Sequence, residues 1–254
     1  MRRTLAESYH LMRRALRESA RQPAVELANV FIPMFFFAVT VGAIGSVAGR
    51  AFGVDNYLAF QMPVAVLQGV AGTAGGSGLG TVTDIERGYF DKLLLTPASR
   101  LALVLGRMAA DGAKGMALTA LIVVTGLIAG SGMAAGPLGA LAIIAGGGAF
   151  TLAYSGIGMA IALRTGSPQA AQAGFLIFFP LLFLSPAFAP KEVFAGWLEF
   201  LATINPVTYI LQAMRDLAIE GWEPKSFAGG VAAVGGLAAF TISLTLAALR
   251  WRTA

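Results

Sequence analysis

The stretch AVELANVFIPMFFFAVTVGAIGSV, residues 24–47, carries a single charged residue, Glu26. A hydrocarbon core about 30 Å thick needs about 20 mostly apolar residues per helix. This run meets that length, and it is too long and too uniformly apolar for a core helix of a soluble domain. Five similar stretches follow it. The apolar segments predict span 1 at Ala24–Val47, span 2 at Tyr57–Val82, span 3 at Met108–Gly130, span 4 at Pro137–Leu163, span 5 at Ala170–Phe188 and span 6 at Phe227–Leu249. The expected fold is all-α and integral to a membrane, with six transmembrane helices spread over residues 23–254. Composition agrees: 57% of the 254 residues are hydrophobic and 12% charged, against about 25% charge in soluble domains.

The flanks of these spans are informative. Residues 1–22 read as an amphipathic helix, with Leu5, Tyr9, Met12 and Leu16 on one stripe. Arg13, Arg14, Arg17 and Arg21 lie on the flank and opposite face, the pattern of a helix in the membrane interface near anionic headgroups. Residues 189–226 are too polar for a simple span and too hydrophobic for a free loop. Short re-entrant or interfacial helices account for that mixture, and Pro186, Pro190 and Pro206 read as helix breakers. With the N-terminus in the cytosol, Arg2, Arg3, Arg13, Arg14, Arg17, Arg21, Arg87, Lys92, Arg100, Arg107, Arg164, Arg250 and Arg252 fall inside. Only Arg50, Lys191, Arg215 and Lys225 fall outside. Both termini are therefore expected in the cytosol.

Several chemistries are excluded by residue type. There is no cysteine, and His10 is the one histidine, so a two-histidine zinc site and a histidine-based serine hydrolase both fail. Asp111 is the only aspartate within a predicted span, so a two-aspartate intramembrane protease fails as well. No lysine follows a glycine, which removes a phosphate-binding loop of the Walker type. The net charge of +5 does not gather into one solvated face, so no nucleic-acid surface is expected. The chain is expected to have no catalytic site and to bind no cofactor or metal.

The loop after span 2, residues 83–100, holds the most specific pattern. Thr83 and Glu86 stand at capping-box spacing, Ile85, Tyr89 and Leu93 fall on one face, and Pro97 ends the element. A short amphipathic helix beginning at Thr83 is expected. Its charged face reads equally well as a solvated connector. The arrangement Glu86-Arg87-Gly88, Leu93-Leu94, Thr96-Pro97 and Ser99-Arg100, followed by Leu105-Gly106-Arg107 and Ala110-Asp111, resembles permeases of type-2 ABC exporters. The daunorubicin-resistance type is the nearest subgroup. Asn205-Pro206-Val207-Thr208-Tyr209 with Arg215, and Leu184-Ser185-Pro186 with Phe188 and Pro190, are two further matches. The resemblance covers essentially the whole chain. Tyr89-Phe90-Asp91 departs from it, standing where members often carry a Gly-Thr-Leu-Glu-like stretch.

The resemblance implies a permease subunit coupled to a separate ATPase that holds ATP and magnesium. It implies a second copy or a paralogue completing the pathway, and location in the plasma membrane. The N-terminal helix would be the connecting helix. The loop would be the coupling helix, with Asp84, Glu86, Arg87, Tyr89 and Phe90 facing the ATPase. Arg107, Asp111 and Lys114 share one helix face and read as a locally paired salt-bridge cluster, with a substrate or proton role as the rival. Phe31, Phe35, Phe175, Phe178, Phe179 and Phe183 make spans 1 and 5 aromatic. They are candidates for the path of a drug-like or lipid cargo, against plain packing or lipid contact. Gly72, Gly76 and Gly80 read as a helix-contact stripe. The competing reading of the whole chain is a channel or a scaffold that recruits a cytosolic partner without ATP.

Overall fold

A computed structural model describes residues 2–52, 56–96 and 99–252. Pro97, the expected end of the coupling element, and the side chains of Arg2, Arg3 and Glu192 lie outside what it describes. Among the described residues the chain is all-helical. The elements are α1 (Arg2–Ser19), α2 (Pro23–Phe52), α3 (Tyr57–Glu86), α4 (Tyr89–Leu94), α5 (Arg100–Ile128) and α6 (Gly136–Thr165). Then come α7 (Pro168–Leu176), α8 (Phe178–Phe183), a 3-10 turn at Lys191–Val193, α9 (Gly196–Ile204), α10 (Pro206–Ile219) and α11 (Pro224–Arg252). Five of these, α2, α3, α5, α6 and α11, are long and apolar enough to cross a membrane.

Where the helices start follows from local sequence. Asn56, Ser99, Ser167 and Asn205 each accept a backbone N–H in the first turn of α3, α5, α7 and α10, satisfying donors that have no partner within the helix. Pro168 and Pro206 take the first helical position, where a missing N–H costs nothing. Gly166 ends α6 in the left-handed conformation, φ 61°.

α3 is the central post. Of its most apolar stretch 83% is buried inside the chain, against 11% for α2 and 17% for α11. It packs on α2, α5, α6, α7 and α10. Met62, Val66, Leu67 and Val70 meet Ile143, Phe150 and Tyr154 of α6 and Ile210, Leu211 and Met214 of α10 in the main core. Close approach is set by Gly78: a Cβ there would lie 2.7 Å from the Gly158 carbonyl oxygen of α6. The Gly72, Gly76, Gly80 stripe does something else. Gly76 faces open space, and the space over Gly80 is filled by the Arg107 guanidinium. Most threonine hydroxyls in this interior are satisfied within the protein, while those of Ser77, Tyr57 and Thr208 have no protein partner. Thr73, Thr81, Thr119 and Thr151 donate to the carbonyl one turn back, and Thr241 and Thr245 of α11 donate to the Ala153 and Gly156 carbonyls of α6.

The fifth apolar segment differs from the continuous helix expected over Ala170–Phe188. It is two short helices, α7 and α8, meeting at Ile177, and turns follow Leu184. Two causes are visible. The buried Tyr154 hydroxyl donates to the Gly174 carbonyl at 2.9 Å, taking the acceptor that the Phe178 N–H would use in an unbroken helix. Pro180 offers no N–H to the Leu176 carbonyl. α1 is helical as expected. It lies against α5 so closely at Gly106 that a Cβ there would sit 2.6 Å from the Leu11 Cβ. Leu5 and Tyr9, half of the predicted apolar stripe, are exposed, whereas Met12 and Leu16 are half-buried.

Candidate functional site

The expected capping box at Thr83 and Glu86 does not form. α3 continues through both residues, and the Thr83 hydroxyl donates to the Leu79 carbonyl inside the helix. Gly88 makes the corner instead, at φ 65°, a conformation glycine adopts without a Cβ penalty. The element that follows is the six-residue α4. Around this corner Glu86, Arg87, Asp91 and Lys92 are exposed, and Leu95 is 88% exposed.

Beneath the corner sits Asp84, 4% exposed. It accepts Arg14 Nη2 at 2.7 Å and Nη1 at 3.2 Å from α1, and Arg107 Nη1 at 2.8 Å from α5. The Arg14 guanidinium also lies 3.7 Å over the Tyr89 ring. One carboxylate thus ties three helices to the corner. Phe90, expected to face a partner, points inward among Val104, Met108, Met159, Leu163 and Leu249. Asp84 and Phe90 serve the chain's own interior. Glu86 and Arg87 are the members of the predicted set that stand free at the surface, with Tyr89 half-buried under Arg14.

The Arg107, Asp111, Lys114 cluster is two clusters. Arg107 pairs across helices with Asp84 and not with Asp111. Lys114 pairs with Asp111 at 2.9 Å and with Glu26 of α2 at 3.7 Å, and donates to the Ser19 hydroxyl at 3.2 Å. Ser19 in turn donates to Glu26, so the bend between α1 and α2 is bonded to α5. A cavity of about 110 Å³ lies between these groups and α3, with room for several waters. Asp111 Oδ2 and Arg107 Nε beside it have no protein partner.

The aromatic candidates separate by environment. Phe178 is fully buried between Phe150 and Tyr154, so it is core and lines no path. Phe31, Phe35 and Phe183 are exposed. Phe175 and Phe179 are half-buried, edge to face at 5.1 Å, with Phe175 seated on Gly75.

At the far end of α3, Arg215 was expected as an external loop charge. The structure places it in a buried clasp. Its guanidinium donates to the carbonyls of Pro186 at 2.9 Å, Phe60 at 3.3 Å and Ala187 at 3.4 Å, and lies 3.6 Å over the Phe60 ring. Asn205 caps α10 and donates to the Leu181 carbonyl. The two C-terminal motifs therefore interlock. Their fixed order in sequence was the only available signal of this.

No group of three or more His, Cys, Asp or Glu among the described residues is placed to hold a metal ion. What the site offers is an exposed corner at the end of α3 that Asp84 ties to α1 and α5. Residues 7–219 match the family described as ABC-2 type transporter, and the chain belongs to that family. It is 26% identical over 208 residues to the daunorubicin resistance ABC transporter permease protein DrrB1 of Streptomyces coeruleorubidus, covering 80% of this chain and 72% of that one. It is 25% identical over 219 residues to the putative transport permease ycf38 of Cyanophora paradoxa, covering 84% and 74%.

Proposed function

We propose, with membership of the ABC-2 type transporter family as the premise, that this chain is the membrane subunit of an ATP-driven exporter of hydrophobic or amphiphilic molecules. Six crossings put both termini in the cytosol, the broken α7–α8 pair supplying the fifth and α9–α10 a re-entrant segment on the outer side. α1 is the connecting helix in the inner interface. The corner from Glu86 to Leu95 receives an ATPase subunit, which carries ATP and magnesium. A second permease copy or a paralogue completes the pathway in the plasma membrane.

The observation that carries this reading is the corner itself. A free charged pair, Glu86 and Arg87, and a protruding Leu95 form a compact knob, and Asp84 locks it to α1 and α5 from below. A push on such a knob moves helices and not only side chains. α3 then carries the displacement, as a lever, toward the Phe60 end where Arg215 holds the α8–α10 clasp. The uncovered faces of Phe31 and Phe35 suit a wall completed by a second subunit, with the cargo passing between.

The test is affinity purification of the tagged chain from its own membranes in mild detergent. An ATPase with Walker motifs should accompany the wild type and be lost from a Glu86→Ala/Arg87→Ala/Leu95→Ala variant that keeps its melting temperature. Equal recovery of the ATPase with that variant rejects the corner as the docking point.

A further inference from the structure

A second charged feature adjoins the corner and shares Arg87 with it. A cleft of about 510 Å³ runs between the last turns of α1 and the end of α3, lined by Arg14, Arg17, Glu18, Arg21, Gln22 and Arg87. Four guanidinium groups share it with one carboxylate. Arg14 is committed to Asp84 and lies 3.8 Å from Glu18. Arg17, Arg21 and Arg87 are exposed and have no carboxylate partner among the described residues. Arg17, in the last turn of α1, and Arg21, in the turn that follows it, bring like charges into one cleft with Glu18 as its one carboxylate, and Arg87 reaches the same cleft from the end of α3. An arrangement of this kind lowers its energy by taking up an anion, and arginine forks match the oxygens of a phosphate.

We infer that this cleft holds the phosphate headgroup of an anionic phospholipid. The level of the cleft favours a lipid over an acidic protein surface. Arg21 lies two residues before α2 begins, and Val25 and Leu27, within the next turn and a half, are apolar and about half or more exposed. At about 1.5 Å per residue, the guanidinium groups sit within one helical turn or so of side chains that face hydrocarbon. That boundary is where lipid phosphates lie. Leu5 and Tyr9 continue the exposed apolar surface along α1. The inference requires that α2 enter a bilayer and requires no ATPase. Its consequence is that lipid charge acts on the corner directly, because Arg87 belongs both to the cleft and to the exposed knob.

The test is native mass spectrometry of the full purified chain in dodecyl maltoside micelles, titrated with phosphatidylglycerol or phosphatidylcholine. An arginine near an anionic surface contributes about fivefold in affinity. The wild type should prefer phosphatidylglycerol by at least about tenfold. Arg17→Gln/Arg21→Gln/Arg87→Gln should bring the two lipids within about twofold, and the matching triple Lys variant should keep most of the preference. Loss in both variants, or in neither, overturns the assignment. Inorganic phosphate should compete weakly; displacement of the lipid at equal concentration would make the ligand a soluble phosphate and overturn the lipid. A Gln variant that keeps its lipid preference but drops a co-purifying ATPase would make the cleft a protein interface instead.

Discussion

Replacing Asp84 by alanine removes the acceptor of three hydrogen bonds from two arginines. The two halves are unequal. The Arg14 side chain is 35% exposed and keeps Glu18 at 3.8 Å, so solvent and that carboxylate compensate it, and its share is at most about 1 kcal/mol. The Arg107 side chain is 18% exposed and lies across Gly80, with no second carboxylate bonded to it. Removing one partner of a buried pair costs about 3–5 kcal/mol, and partial exposure puts this case at the lower end, about 3 kcal/mol. For a chain of this length that corresponds to about 6–12 °C in melting temperature. The assay is thermal unfolding of the purified chain in detergent micelles, with tryptic cleavage within α1 as a second readout, since Arg14 is released. Arg107→Ala and the double variant close a thermodynamic cycle. A melting temperature within about 2 °C of the wild type, or effects of the two single variants that simply add, would refute the hub.

Phe90→Ala should destabilise the chain by about 3 kcal/mol, because the ring fills a core position. Leu95→Ala should leave the melting temperature unchanged while weakening ATPase capture, and comparing the two separates core from docking residues. Gly78→Ala forces a Cβ onto a backbone oxygen of α6 and should cost about 1–3 kcal/mol, read by the same melting assay. Gly76→Ala, which meets nothing, should be silent. Arg215→Met leaves three backbone carbonyls without their donor. It should lower stability by about 3 kcal/mol and speed proteolysis between α8 and α9.

The apolar spans were legible from composition because length and apolarity decide them, but their starts were not: span 3 was read from Met108, whereas α5 begins at Arg100 behind the Ser99 cap. The other misreadings share a cause: each depended on a partner distant in sequence. The break between α7 and α8 is made partly by Tyr154, 20 residues before the carbonyl it takes. Arg107 pairs with Asp84, 23 residues away on another helix, although Asp111 offers ideal spacing on its own helix. At the corner Gly88 was visible, but a capping box and a glycine turn are both local patterns, and only packing of Phe90 into the core decides between them. Arg215 was read only as an outer-side charge, because the carbonyls of Pro186 and Ala187 that hold it lie 29 and 28 residues earlier in the chain.

The most buried of the long helices is also the one a bilayer receives least willingly. α3 carries Gln61, Thr73, Ser77, Thr81 and Asp84 on buried faces, and polar groups in a lone helix weigh against insertion residue by residue. Its partners α5 and α6 are not yet synthesised when α3 leaves the ribosome. Only the strongly apolar α2 is there to receive it. Arg107, Gly158 and the neighbours that make α3 comfortable arrive later, so the centre of the protein is secured last during biogenesis. Variants in α5 or α6 that weaken these contacts should therefore appear in cells as α3 failing to stay in the membrane, well before any defect in transport could be measured.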